Sequence, residues 1–349
     1  MLYQGAIRKS LFVMALFILI VGCSNNESSS NQENESTNNE NASQMFEWDY
    51  NLHVGLDEAT GPYMDGFADE VREKTDGQLD ITTRPPGELP YSAEDSISIT
   101  SDRSVEMADA TMAYIAGDVK ASVIPTWPFL ASTDREDFKQ AVDVVRPYTN
   151  EELNEKGIEV LFWLGDSPQY VWGQGDPVKT LDDLKGLKVR TFSPEQQTLM
   201  KEIGATPVSM VMSEVPSAMQ KGVIDAAITG SLGAYDSKWS DVIDWGFILP
   251  VAGSGAFMIA NQEALEELPS DVYDTLTEVA EKWEEKGNEE MAEKDEESID
   301  NIESEGVEIN RGSEEDIKKG KELMEDFWDK WAKEDNLKEE LDEIKNATK

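Results

Sequence analysis

The stretch TLDDLKGLKVRTFSPEQQTLMKEIGATPVSM, residues 180–210, alternates short apolar strands with short helices. LKVR (187–190) reads as a strand because its apolar residues fall on alternate positions. The next segment is typical of a helix, with Ser193 as N-cap and Gly204 at its end. ATPVSM (205–210) then predicts another strand. This strand–helix–strand order predicts an α/β fold.

The same alternation continues on both sides of this stretch. Upstream, IEVLFWLG (158–165) is a continuous apolar run, which is typical of a strand buried on both faces of a parallel sheet. A strand is predicted over 48–56, and helices over 92–108 and 134–156. Downstream, residues 213–230 read as a helix followed by a strand. Together these signals predict mainly parallel sheets.

The last third of the chain predicts two amphipathic helices. The first is very acidic and runs over about 270–300, with apolar residues spaced by three and four positions. Those apolar residues are Val272, Leu276, Val279 and Trp283. The second helix begins at Ser313 as N-cap. Their acidic faces are typical of solvated surfaces.

The charge balance limits the possible partners. The 349 residues include 72 acidic and 30 basic side chains, for a formal net charge of -42 at pH 7. Nucleic acid binding needs clustered positive charge, so the composition argues against a nucleic acid partner. It also disfavours adsorption to an anionic membrane surface. The simplest explanation of the surplus is a highly solvated exterior.

The N-terminus predicts export. Arg8 and Lys9 precede the apolar run LFVMALFILIVG, which is too short to span a membrane. IVGC (20–23) resembles the lipobox of bacterial lipoproteins, so residues 1–22 are expected to be a signal peptide and Cys23 to be lipidated. The alternative is an ordinary secretory signal with a chance cysteine. Residues 23–45 are polar and predict a flexible tether between the lipid and the folded part.

The sequence offers no evident catalytic site. It contains one histidine, His53, and one cysteine, which is the lipidation candidate. A serine or cysteine nucleophile needs a base, usually histidine, and a lone histidine is a poor metal ligand. There is no phosphate-binding or dinucleotide-binding glycine motif. We therefore expect no enzymatic activity, no cofactor and no metal, and a structural or surface role for His53.

Arg190 is the strongest candidate for binding an anion. It lies at the C-terminal end of a predicted strand, where open α/β sheets bind ligands. The helix after Ser193 would point free N–H groups towards the same end. A guanidinium also offers a planar pair of donors that matches a carboxylate. Taken on spacing alone, Arg190 could equally pair with one of the many acidic side chains.

A longer pattern resembles the DctP-type substrate-binding proteins of tripartite ATP-independent periplasmic (TRAP) transporters. The shared motifs are Pro177, DLKGLKVR (183–190), GATP (204–207), SEV (213–215) and Gly222 with Asp225. Weaker similarity extends over nearly all of residues 48–340. Such a protein has a two-lobed periplasmic-binding-protein-like α/β fold, with hinge strands and a long helix in the C-terminal third.

The resemblance implies lobe I from residues 46–167 with 256–295, and lobe II from 168–255 with 296–349. It implies that a small carboxylate or zwitterion binds between the lobes and is handed to TRAP membrane permease subunits. The protein would then lie on the extracytoplasmic face of the cytoplasmic membrane, held by its lipid. The binding residues it implies are Arg190, Gln169, Tyr170, Trp172, Thr229 and Glu58. The remaining alternatives are a binding lipoprotein for an ATP-driven importer or a sensor, and an extracellular enzyme acting on an acidic substrate.

Overall fold

Two β-sheets organise the fold. The computed structural model describes residues 44–131 and 134–348. The predicted signal peptide, Cys23 and nearly all of the predicted tether therefore lie outside the described residues. The strands are β1 (Phe46–Asn51), β2 (Leu79–Arg84), β3 (Met107–Thr111), β4 (Ile158–Gly165), β5 (Gln169–Gly173), β6 (Lys188–Thr191), β7 (Thr206–Ser209), β8 (Ala226–Thr229), β9 (Trp245–Ala252), β10 (Gly255–Asn261) and β11 (Glu308–Arg311).

Helices connect and cover these strands. They are α1 (Gly61–Lys74), α2 (Ser96–Ser101), α3 (Met112–Ile115), α4 (Arg135–Asn154), α5 (Pro194–Ile203), α6 (Val215–Gln220), α7 (Ser231–Asp236), α8 (Gln262–Glu266), α9 (Ser270–Ser304), α10 (Glu314–Asp335) and α11 (Lys338–Ala347). The predicted α/β fold with a long helix in the C-terminal third is confirmed. In the described part of the chain, no helix is both long and apolar enough to cross a bilayer.

Both sheets are mainly parallel, as the sequence predicts, but each contains one strand that runs in the opposite direction. The first sheet has the order β2-β1-β3-β10-β4, and the second has the order β11-β9-β5-β8-β6-β7. In the first, β10 runs antiparallel to β3 and β4. In the second, β5 runs antiparallel to β8 and β9. The chain passes from one sheet to the other three times: between β4 and β5, between β9 and β10, and through α9 between β10 and β11.

Strand β4 is buried on both faces, as its continuous apolar run predicts. It lies at the edge of the first sheet, beside the antiparallel β10. Phe162 and Leu164 pack into the apolar cluster that includes α1 and α9, whereas Val160 and Trp163 pack with residues of α4. Both faces are thus covered by helices. A continuous apolar run reports this double burial and carries no information about strand direction.

Two predicted elements near the N-terminus have different bounds. The helix predicted over 92–108 is a short 3₁₀ turn followed by α2 and then by β3. Arg103 has a φ of 57°, in the left-handed region that no helix can continue. The strand predicted over 48–56 ends at Asn51, where pairing with β2 stops. Residues 52–56 form a loop instead.

The local helix signals of the 180–210 stretch are confirmed. The Ser193 side chain accepts a hydrogen bond from the Gln196 N–H, and Pro194 opens α5. Gly204 ends this helix with a φ of 89°, which a residue with a side chain rarely adopts. Ser313 caps α10 in the same way, by accepting from the Asp316 N–H. TLDDLKG forms a single 3₁₀ turn over Leu181–Leu184.

The predicted lobe bounds stay a prediction. The first two sheet crossings fall beside residues 167 and 255, and the third runs through α9. However, Ala141 and Val145 of α4 belong to the apolar cluster of the second sheet, whereas Phe138 and Val142 of the same helix pack with the first. Helix α4 therefore lies between the two halves instead of belonging to one.

Candidate functional site

A cavity of about 350 Å³ lies between the two sheets. It is bordered by His53 after β1, Thr111 at the end of β3, Phe192 after β6 and Thr229 at the end of β8. These are the C-terminal ends of parallel strands, where α/β sheets bind ligands. The first two sheet crossings reach the cavity, through Asp166 and through the Gly253–Ser254 segment. Its volume suits a small molecule.

Arg190 forms part of the cavity wall and is held in place by main-chain groups. Its Nε donates to the carbonyl of Met210 at 3.0 Å, and its Nη1 donates to the carbonyl of Ile228 at 2.8 Å. These carbonyls lie beyond β7 and on β8, the strands on either side of β6. The side chain is 4% exposed. The guanidinium is therefore positioned before any ligand arrives.

The charge of Arg190 is not neutralised by an acidic neighbour. Among the described residues, no carboxylate lies within 4 Å of its guanidinium, and Nη2 has no hydrogen-bond partner. The Phe192 ring lies 5.2 Å from the guanidinium carbon, which is a cation–π contact. Burial lowers the pKa of Arg190 to about 10, so the group stays protonated near neutral pH. The alternative of an ion pair with an acidic side chain is excluded within the described chain.

Gln169 and Thr229 add neutral polar groups to the same wall. Gln169 is 4% exposed, and its Nε2 donates to the Ser167 carbonyl at 3.3 Å. Its Oε1 is buried and has no hydrogen-bond partner among the residues that the structure describes. The Thr229 hydroxyl has no hydrogen bond within the described residues. Both residues border the cavity. The wall thus combines one cation with an acceptor and a hydroxyl that are still free.

Acidic side chains surround the rest of the cavity. Glu58 accepts from the Gly55 N–H at 2.8 Å, and Asp236 accepts from the Ala59 N–H at 3.0 Å. Asp166 accepts from the Ser167 N–H at 2.7 Å. Burial raises the pKa of both Asp166 and Asp236. A ligand here meets one positive wall and several acids, which disfavours a second anionic group near those acids.

Tyr170 and Trp172 lie behind the cavity wall. The Tyr170 hydroxyl donates to Asp295 at 2.8 Å, and the Trp172 Nε1 donates to the carbonyl of Thr229 at 3.0 Å. Neither borders the cavity, unlike Arg190, Gln169, Thr229 and Glu58. Side chains alternate across strand β5, so residues next to Gln169 in sequence do not share its face. Contact of Tyr170 or Trp172 with a ligand stays a prediction, and this arrangement does not favour it.

The start of α5 has fewer free N–H groups than the sequence predicts. The Gln196 N–H is taken by the Ser193 side chain, and the Phe192 N–H donates to Gln196 Oε1 at 3.2 Å. Pro194 has no N–H to offer. These donors are used within the helix cap. The guanidinium of Arg190 is thus the main anion-binding group on this wall.

His53 borders the cavity, although the sequence reasoning assigned it only a structural or surface role. It borders the cavity from the first sheet, and its Nδ1 lies 2.9 Å from Asp109 Oδ2. A single histidine in a loop carries no spacing signal. Its partner is 56 positions away, so only the fold reveals the pair. Within residues 44–131 and 134–348, no group of three or more metal-binding side chains is arranged to hold an ion.

Comparison with known proteins agrees with this geometry. The bacterial extracellular solute-binding protein family 7, DctP, matches residues 54–335. The chain belongs to this family. The 2,3-diketo-L-gulonate-binding periplasmic protein YiaO of Escherichia coli is 27% identical, over 70% of this chain and 74% of that protein. A solute-binding protein of Albidiferax ferrireducens is also 27% identical, over 60% of this chain and 62% of that relative. The chain thus spans less than two thirds of the latter's length.

A solved structure supports the fold assignment of this DctP-family chain. The crystal structure of a Bordetella pertussis extracytoplasmic solute receptor binding pyroglutamic acid superposes with a TM-score of 0.78. The match covers 86% of this chain and 99% of the receptor, at 23% identity. The two-lobed α/β fold predicted from the sequence is confirmed by this likeness.

Proposed function

We propose that this protein captures a small organic acid outside the cytoplasmic membrane and delivers it to a TRAP-type permease. The observation that carries the proposal is the buried Arg190 guanidinium, fixed by two carbonyls and free of acidic partners in the described chain. A buried cation without a counter-ion is costly, and an arriving carboxylate supplies the missing charge. Family membership and the acids named for the relatives support the same class of ligand.

The remaining polar groups define what the rest of the ligand carries. We assign Arg190 to the carboxylate of the ligand. We assign Gln169, Thr229 and Glu58 to the rest of the ligand. Gln169 Oε1 needs a donor, such as a hydroxyl or an N–H, to satisfy it. A compact hydroxy acid, a lactam acid or a zwitterion meets these demands. A dicarboxylate would bring its second charge towards Asp166, Asp236 or Glu58.

The finer parts of the proposal concern location and partners. Lipidation of Cys23 would hold the protein at the extracytoplasmic membrane surface, and the polar segment 23–45 would give it reach. Binding without turnover, followed by release to permease subunits, is the activity that the family membership supports. An ATP-driven importer or a sensor as partner would leave the binding step unchanged.

Substitution of Arg190 tests the binding proposal. A thermal-shift screen of small carboxylates, starting with pyroglutamate, identifies an acid, and calorimetry then measures its Kd. We expect Arg190→Ala to weaken binding by about tenfold or more, because a charge-assisted hydrogen bond contributes about 1.5–3 kcal/mol. Arg190→Lys keeps the charge but loses the planar pair of donors, so its affinity should fall in between.

A matched control separates binding from general charge effects. Arg311→Ala removes an exposed arginine that pairs with Glu296 at 2.8 Å, away from the cavity. Its affinity should equal that of the unmodified protein. Equal affinities for Arg190→Ala and Arg311→Ala would refute the role of Arg190. If no acid in the screen binds, the proposed function itself fails.

A further inference from the structure

A hydrogen-bonded triad of side chains, Tyr50, Asp109 and His53, supports one wall of the cavity. The Tyr50 hydroxyl donates to Asp109 Oδ1, and Asp109 Oδ2 lies 2.9 Å from His53 Nδ1. Tyr50 and Asp109 are 0% and 1% exposed. The His53 main-chain N–H also donates to Asp109, at 3.4 Å. Of the three residues in this triad, only His53 borders the cavity.

His53 is the basic partner of the buried Asp109 carboxylate. Within the described residues, His53 is the only basic side chain within 4 Å of the Asp109 carboxylate. A buried carboxylate without a paired cation is strongly unfavourable. The hydrogen bond places a proton on His53 Nδ1, and the carboxylate favours a second proton on the ring. The pair is therefore stabilised when His53 is a cation.

The other ring nitrogen of His53 remains available. Nε2 has no hydrogen-bond partner among the described residues, and the side chain is 22% exposed. Because Nδ1 is turned inward to Asp109, Nε2 lies on the exposed edge of the ring. Across the same cavity, Arg190 offers its free Nη2. The cavity thus has a second donor that comes from the opposite sheet.

We propose that His53 is a second ligand-binding residue, whose protonated Nε2 donates to an oxygen of the bound acid and makes capture pH-dependent. This inference rests on the proposed function. With Arg190 on one sheet and His53 on the other, an acid that contacts both holds the two halves together. Its oxygen at His53 belongs to the carboxylate or to a carbonyl or hydroxyl next to it.

The groups that face His53 determine the direction of the pH effect. They are Asp109 and Tyr50 from the first sheet, Asp166 from the crossing segment and Glu58 from the loop after β1. Burial alone would lower the pKa of His53, but the hydrogen bond and charge of Asp109, with Asp166 and Glu58, outweigh burial and raise this pKa above its usual value. His53 is cationic below this pKa and neutral above it. Affinity for the acid therefore falls as the pH rises through it.

Because His53 is the only histidine in the chain, its titration can be followed directly. The untagged protein gives a single set of imidazole NMR signals. Reciprocal linkage requires the bound acid to raise the pKa of His53 if protonation favours binding. We expect an upward shift of about half a unit or more on saturation, which corresponds to about a threefold change in Kd. This measurement needs no variant.

Calorimetry of a variant gives the second test. The probe is the tightest acid from the carboxylate screen, with pyroglutamate as the first one measured. Between about pH 6 and about pH 8.5, Kd of the unmodified protein should rise about threefold or more, and Kd of His53→Gln should stay within about twofold. An unchanged histidine pKa in the saturated protein would overturn the inference while leaving the proposed function intact. A screen in which no acid binds would overturn both.

Discussion

At the scale of single residues, Gln169 lowers the stability of the unliganded protein. Its Oε1 is buried and has no hydrogen-bond partner in the described part of the chain. Leaving such an acceptor unsatisfied costs about 1–3 kcal/mol. Binding sites often keep groups of this kind because the ligand completes them. Gln169 is therefore a residue where stability and binding are expected to oppose each other.

Gln169→Leu tests this opposition. The substitution removes the unsatisfied acceptor and keeps most of the side-chain volume, so we expect the free energy of unfolding to rise by about 1 kcal/mol. The same change should weaken binding of the acid about fivefold or more, because a ligand donor then faces an apolar group. Denaturant unfolding and calorimetry measure the two effects. A variant that is less stable and binds normally would contradict both expectations.

Arg190 could be predicted from its neighbours in sequence, whereas His53 could not. A cation at the end of a strand that is followed by a capped helix is a local pattern. The position of His53 depends on Asp109, which reaches it only through the parallel pairing of β1 with β3. Gln169 could be predicted in part. Its place on β5 follows from the family resemblance, but its free oxygen is a property of the packed structure.

At the scale of elements, α9 is joined to three others through Asp295. Its carboxylate accepts from Tyr170 of β5 at 2.8 Å and from Ser231 at the start of α7. Arg135 of α4 lies 3.2 Å away and forms an ion pair. Asp295 is 3% exposed, and burial raises the pKa of its carboxyl group. This one side chain connects four elements.

Asp295→Ala should therefore be strongly destabilising. It leaves the Tyr170 hydroxyl without its acceptor and Arg135 without its ion-pair partner, and breaking a buried charged pair costs about 3–5 kcal/mol. Denaturant unfolding should show a loss of about 3 kcal/mol or more. Glu296→Ala is the control, because the neighbouring Glu296 is 59% exposed and pairs only with Arg311 among the described residues. That change should cost less than about 1 kcal/mol. Equal losses in the two variants would contradict the structural role of Asp295.

Local signals predicted the elements better than their partners. The caps at Ser193 and Ser313 and the glycine stop at Gly204 are short-range interactions, and the structure has each of them. Strand direction depends on the whole path of the chain, so the apolar run of β4 was compatible with either direction. The predicted helix over 92–108 failed at Arg103, where a left-handed residue gives no clear sequence signal.

At the scale of the whole molecule, acidic repulsion opposes folding. The chain has 72 acidic and 30 basic side chains. Some of the basic side chains form exposed ion pairs, such as Lys338 with Asp329 and Asp342. Each exposed pair contributes about 0–1 kcal/mol, and the unpaired acids remain. The folded state brings these charges closer together than the unfolded chain does.

Salt should therefore stabilise the protein. Raising NaCl from about 10 mM to about 500 mM shortens the screening length, and we expect the thermal midpoint to rise by roughly 3 °C or more. Near the isoelectric point of about 4.2, the same step should have little effect because the net charge is small. Differential scanning calorimetry measures both. An equal rise at both pH values would point to specific ion binding instead.

Helix α9 limits how the two halves can move. It is a continuous rod of 35 residues, about 52 Å long at 1.5 Å per residue. Trp283 packs with Tyr63 of α1 beside the first sheet, whereas Asp295, twelve residues later, holds Tyr170 of the second. Because α9 is attached at both places, the two halves cannot separate freely. A change in their angle must flex the rod between these two attachments, so elastic recoil of α9 would contribute to ligand release.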